Sequence, residues 1–213
     1  MRHSITTLLL VFFILGCSPE KPVDRSAYTL EKQQRELKRV MPADLVAAGE
    51  KLGKEVIEKS SAIYLVQLKR AIVINGVDGA IDHCNINLID KLKRIEDSLG
   101  VSITRVTDKP RNPSNSLSDL EKEIWEAYEY APNVTSAQVQ EYDKEQLIVT
   151  KPILISSTLC LNCHGSKGTE IDTKTQEAIN KKYPNDNATG YYTGDLRGMW
   201  RIIIPKKSVV AQL

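Results

Sequence analysis

Gly100-Val101-Ser102-Ile103-Thr104-Arg105-Val106 is the stretch where the chain changes its period. Upstream, apolar residues recur every three to four positions among Ala, Leu, Lys and Glu, as helices require. From Val101 the pattern alternates, as a half-buried strand requires. Working back from Gly100, one helix fits Val77 to Leu99, with Gly79 in its first turn and Gly100 as its stop. Asn75-Gly76 breaks it from a longer helix that opens at Pro42-Ala43-Asp44 and runs towards Ile74. Working forward, Asp108 to Asn115 holds two prolines and two asparagines and reads as loop. Ser118-Asp119-Leu120-Glu121 is a capping box that starts a helix through Trp125 to about Tyr130. Gln146 to Ser156 and Gly198 to Pro205 are β-rich. Between His164 and Gly190 the chain looks irregular, with one short helix near Thr175 to Asn180, and no internal repeat is visible. Long helices first and strands afterwards predict an α+β fold with an antiparallel sheet.

At 213 residues the chain suits one domain and a tether. Hydrophobic content of 41%, charged content of 26% and a net charge of +2 are ordinary for a globular protein. Lysine and glutamate are interleaved, as in Lys91-Leu92-Lys93-Arg94-Ile95-Glu96-Asp97, which is a solvated helix surface, and no nucleic-acid partner is expected. Met1-Arg2-His3 and the apolar run Leu8 to Leu15 have the form of a signal peptide, too short for a permanent span. Ile14-Leu15-Gly16-Cys17 resembles a bacterial lipobox, so residues 1–16 are expected to be removed and Cys17 lipidated. Acyl chains on Cys17 would anchor the protein to a membrane. Residues 17–41, polar and with two prolines, then form the tether, and residues 42–213 the folded domain. The expected location is the cell envelope, facing the periplasm or the outside of a single-membrane cell. Ser18, directly after the cysteine, points to an outer membrane.

Cys160-Leu161-Asn162-Cys163-His164 has the pattern of covalent c-type haem attachment. Two thiols three residues apart reach the two vinyl groups on one porphyrin edge, and the next residue offers an imidazole to the iron. About one chain per thousand of this composition would match by chance. The competing readings are a disulfide or a zinc site, and zinc would want a second Cys-x-x-Cys or a His pair, which the sequence lacks. A single haem c leaves a second axial position, for which the sequence offers Cys84, His83, Met41 and Met199. On one continuous helix Val77, Ile81, Cys84, Leu88, Leu92 and Ile95 share an apolar stripe. That phase leaves Cys84 open between an iron ligand and a buried structural thiol, and sets His83 on the polar side with Asn87, Asp90 and Arg94.

Several segments together resemble a bacterial family of c-type haem domains with a PAS-like fold, first seen structurally in a cyanobacterial protein. They are Ala80-Ile81-Asp82-His83-Cys84, Ile103 to Val106 followed by Arg111-Asn112-Pro113-Ser114-Asn115, the haem motif with Gly165, and Tyr183 to Tyr191 with Gly194-Asp195-Leu196-Arg197-Gly198. The resemblance covers roughly Ala43 to Pro205. It implies a PAS-like antiparallel sheet and His/Cys axial ligation, carried here by His164 and Cys84. It also accounts for every cysteine: Cys17 lipidated, Cys160 and Cys163 in thioethers, Cys84 on iron. Val106-Thr107 departs from the family, where a small polar residue is expected after the strand arginine. Arg105 is expected to pair with a haem propionate. Arg111 is open between the same propionate pairing and a loop brace at the surface, with the brace preferred, while Asn112, Asn115, Asp186 and Asp195 are expected to serve turns and Trp125 and Trp200 to pack in the core.

Two functions follow. A redox or small-ligand sensor would use release of Cys84 on reduction to open a site for a diatomic gas and pass the signal to an unidentified partner protein. A membrane-surface electron-transfer cytochrome would keep both ligands in both oxidation states. No enzyme is expected, because no Ser-His-Asp set remains once His3 is removed and His164 is on iron.

Overall fold

The computed structural model describes residues 40–211 and Leu213, together with Ser26 and Thr29. The expected signal peptide, the lipidated Cys17 and nearly all of the tether lie outside the described residues. The chain divides at Arg39/Val40, and every element below belongs to the second unit. Among the described residues no helix is long and apolar enough to cross a membrane.

Helix α1 spans Pro42–Gly79, with proline in its first turn and Asp44 beside its N-terminus. Its helical geometry fails at Gly76, whose φ of 76° and ψ of 176° suit a residue without Cβ, so the expected break falls where Asn75-Gly76 foretold it. The expected continuous helix from Val77 to Leu99 is not there. Residues 77–79 end α1, a 3₁₀ turn covers Ala80–Cys84, another covers Ile86–Leu88, and a separate α-helix, α2, covers Asp90–Leu99. Asn85 is extended, and its side chain accepts the Asn87 N–H at 3.0 Å. That local bond competes with helix continuation. The stripe from Val77 to Ile95 is therefore not one helical face, and helical phase does not govern where Cys84 points.

Strands β1 (Ser102–Val106), β2 (Gln138–Glu141), β3 (Gln146–Leu154) and β4 (Leu196–Pro205) form a four-stranded antiparallel sheet in the order β1-β4-β3-β2. The α+β expectation is met. Strand alternation buries both faces. Ile103, Leu147, Val149, Trp200, Ile202 and Ile204 pack with Leu52, Val56 and Ile57 of α1. Val106, Ile148 and Met199 pack with Ile124 and Tyr128 of helix α3, Asp119–Tyr130. On that second side the capping-box residue Glu121 is fully buried, accepting the Ser118 N–H at 2.8 Å and pairing with Arg201 at 2.8 Å.

Glycines set how closely α1 approaches the sheet. A Cβ on Gly53 would lie 2.5–2.7 Å from three Val149 atoms, and one on Gly49 would lie 2.4 Å from Leu147 Cδ1. The first half of α1 therefore lies down on β3. Between β3 and β4 the chain makes a long excursion, closed at its base where Ile155 N–H donates to Asp195 O at 2.9 Å and Gly194 N–H to Ile155 O at 2.8 Å. The excursion holds α4 (Thr158–His164) and α5 (Thr173–Lys182), the latter capped by Asp172. A last short helix, α6, covers Lys206–Val210.

Candidate functional site

Beyond Ser60, Ile63 and Tyr64 still pack on the core, and α1 also begins to wall a cavity of about 320 Å³. Tyr64, Leu65, Leu68 and Ile72 come from α1, Lys151 to Leu154 from β3, and Gly198 and Trp200 from β4. Cys160, Cys163 and His164 come from α4, while Cys84 and Arg105 close another part of the wall. The volume lies within the range of roughly 300–1,000 Å³ typical of ligand pockets. All five expected cofactor-binding residues of the folded domain thus meet around one space. Among the axial candidates, Cys84 lines it. Met199 is fully buried against α3, Met41 is 59% exposed at the start of α1, and half-buried His83 is not part of the wall. Cys84, Cys160 and Cys163 are all free thiols, so no disulfide joins them. Among the described residues no three His, Cys, Asp or Glu side chains are grouped to hold a metal ion by themselves.

α4 sets Cys160 and Cys163 three residues apart on one helical face. After His164 the chain is pinned by the return arm, because Gly190 N–H donates to Gly165 O at 2.8 Å and Tyr191 N–H to His164 O at 3.0 Å. Two groups approach His164 Nδ1: Ala188 O at 2.8 Å and Arg197 Nε at 3.2 Å. A carbonyl cannot donate, so the shorter contact requires a proton on Nδ1; with that tautomer Arg197 Nε–H has no acceptor there, and Nε2 is the nitrogen with the lone pair. This is the tautomer in which metal-bound histidines are commonly oriented. Burial, with Arg197 and Arg111 adding to it, holds the His164 pKa well below its ordinary value, so the ring is neutral. Burial, reinforced by Cys84, pushes the Cys163 thiol up to about 12.

Among the described residues the wall holds no carboxylate, and its charged side chains are the cations Arg105, Arg111, Arg197 and Lys151. Arg105 donates from Nη2 to Cys84 O at 2.8 Å, and its guanidinium carbon lies 4.0 Å from the centre of the Tyr64 ring. Arg111 is not the expected surface brace. It is 5% exposed and forms a buried pair with Asp186 at 3.1 Å, which makes Asp186 more than a turn residue. Burial works against the Arg111 charge, but Cys84 and Asp186 outweigh it and its pKa is raised. Asp195 does serve a turn, accepting the Tyr192 N–H at 2.7 Å, and so does Asn112, accepting the Ser114 N–H at 3.2 Å. Trp125 is core, while Trp200 is both core and cavity wall. Thr107, at the departure from the family pattern, keeps its turn well bonded: its hydroxyl donates to Arg197 O at 2.9 Å.

An α+β domain with a four-stranded antiparallel sheet, carrying a deep cavity walled by cysteine, histidine and arginine, is the class these features define. The chain belongs to the Tll0287-like family, whose model, Tll0287, matches residues 24–205. That kinship was expected from the motifs over Ala43 to Pro205, and the match starts earlier. Among solved structures, the crystal structure of the cyanobacterial heme-protein Tll0287 is similar, with a TM-score of 0.58 and 24% sequence identity. The likeness covers 78% of this chain and 97% of that one, and at this identity it speaks for the fold. No curated protein matches the chain.

Proposed function

We propose that this protein holds one haem c in the cavity, attached through Cys160 and Cys163 and ligated by His164 and Cys84, and that it works as a redox or small-ligand sensor. The observation that carries the proposal is the convergence of Cys84 with the Cys-x-x-Cys-His motif around one space, in a family whose solved relative is a heme-protein. The residues suit the group. The apolar wall from Leu65 to Ile72 fits a porphyrin face, and the arginines and Lys151 fit two propionates. The neutral imidazole has its Nε2 lone pair available. When bound, haem supplies a one-electron couple and an exchangeable coordination position.

The protein's own contribution is to choose what occupies that position. An anionic sulfur from Cys84 favours the oxidised state, and its hold weakens on reduction. Cys84 ends a short 3₁₀ turn and does not sit in a long helix, so it can move without unwinding a long element. We read the sheet and its flanking helices as PAS-like, and the moving turn as the route to a partner protein. We infer no catalytic role. We also infer export and lipid anchoring at Cys17, with the domain facing the periplasm. Acylation assayed by fatty-acid labelling should then be lost in Cys17→Ala.

Absorption and electron-paramagnetic spectra of the purified protein test the central claim. A ferric sulfur-to-iron band is expected, absent from Cys84→Ala and kept in His83→Ala. A band that survives Cys84→Ala refutes the ligation. A ferric band lost in Cys84→Ala, together with a reduced protein that stays low-spin and excludes CO, favours an electron-transfer cytochrome over a sensor.

A further inference from the structure

Arg111 is the most connected side chain at the site. Its Nη1 donates to Cys84 Sγ at 3.8 Å. Its Nη2 donates to Cys163 O at 2.6 Å and approaches Ala188 O at 3.5 Å. Its Nε and Nη2 hold the Asp186 carboxylate at 3.1 and 3.3 Å. Ala188 O is also the acceptor of the His164 Nδ1 proton. The surrounding turn is itself braced, since Asp186 Oδ1 takes the Ala188 N–H at 3.0 Å and Asn187 N–H donates to Pro110 O at 3.2 Å. One planar group therefore joins the turn bearing Cys84, the helix bearing Cys163 and the carbonyl that orients His164.

We propose that Arg111 is a positioning residue that holds the Cys84 sulfur in the cavity and couples its placement to that of His164. This rests on the His164/Cys84 reading above and deepens it. The chemistry asks for arginine, because only a fixed fork of donors meets a sulfur, two carbonyls and a carboxylate at once. Asp186 keeps the buried guanidinium paired, so the fork does not swing away when the sulfur moves. Cys84 then leaves a defined neighbour and returns to it, and the sulfur stays close enough to compete with an incoming ligand.

The test compares the haem-loaded wild type with Arg111→Gln, Arg111→Lys, Cys84→Ala and the Arg111→Gln/Cys84→Ala double variant. Two quantities are read: the ferric sulfur-to-iron band and the CO affinity of the reduced protein. Arg111→Gln should keep covalent haem, weaken the band and raise CO affinity about tenfold, the scale of one lost charge-assisted hydrogen bond. Arg111→Lys should fall between it and wild type. In the Cys84→Ala background, Arg111→Gln should change CO affinity by less than about twofold, because its effect runs through the sulfur. Equal effects in both backgrounds, or a wild-type band and affinity in Arg111→Gln, overturn the proposal. If Arg111→Gln does not accumulate, wild-type behaviour of Arg111→Lys overturns it as well. Failure of the ligation itself looks different: Cys84→Ala alone would then keep the band.

Discussion

The two halves of α1 are one helix put to opposite uses. From Gly49 to Ser60 its buried face is small and aliphatic, and two glycines let the backbone press onto Leu147 and Val149. Further along, Tyr64 still meets Arg105 of β1, while Leu65, Leu68 and Ile72 stand around a cavity. Val73 and Ile74 beyond them are exposed. The first half is held by packing that protein atoms complete among themselves. The second half leaves apolar side chains facing the cavity. Close packing of one half is what leaves room beside the other, because the same rigid rod spans both.

The widest separation between the halves should come from removing the attachment thiols. Cys160→Ser with Cys163→Ser should abolish haem staining on denaturing gels, and amide exchange should rise in residues 64–74 while residues 49–60 stay protected. Equal loss of protection along α1 would show that the halves are not independent. Next in size is Gly53→Ala. The new Cβ meets Val149 Cβ, Cγ1 and Cγ2 together, so no rotamer change relieves it. We expect a net loss of about 1–3 kcal/mol in chemical denaturation, despite the better helix propensity of alanine. Gly49→Ala should cost less, within about 1 kcal/mol, because its Cβ meets the tip of a flexible leucine. A larger loss at Gly49 than at Gly53 would reverse the account of how α1 is seated. Smallest of all, Val73→Lys, at a residue 85% exposed, should move stability by no more than about 0.5 kcal/mol.

What could be read from the sequence was local. The capping box at Ser118, the break at Gly76 and the strand after Gly100 each depend on a few neighbouring residues, and each is found where expected. Strand β2 was missed because Gln138-Val139-Gln140-Glu141 is a polar edge strand with a single apolar residue to betray it. The helix from Val77 to Leu99 was overextended because apolar spacing carries through Asn85 and Ile89, where backbone bonding does not. Cys84 reaches the cavity all the same, by a 3₁₀ turn. At the site, the haem motif, Cys84 and Arg105 announced themselves by residue type. Arg111 stood out only as an arginine for a propionate or a loop brace, and its pairing with Asp186 did not show, since the two lie 75 residues apart and Asp186 alone looks like an ordinary turn residue. Arg197 and Lys151 were silent for the same reason. The one hint was that Arg111 and Asp186 both fall in stretches that resemble the family.

The clasp between Ile155 and Asp195 has a consequence for how such a chain tolerates change. The segment bearing the attachment motif joins two strands that are already partners and packs Ile171 and Ile179 on Ile81, so the length of its exposed turns enters the stability of the sheet through closure entropy. That term grows with the logarithm of length, and doubling the loop costs only about 0.6 kcal/mol. The segment's exposed turns are thus open to insertion while β3 and β4 stay in register, so long as Cys160 to His164, the buried Ile171 and Ile179, and Asp186 to Ala188 keep their places. The scaffold and the chemistry can drift at different speeds.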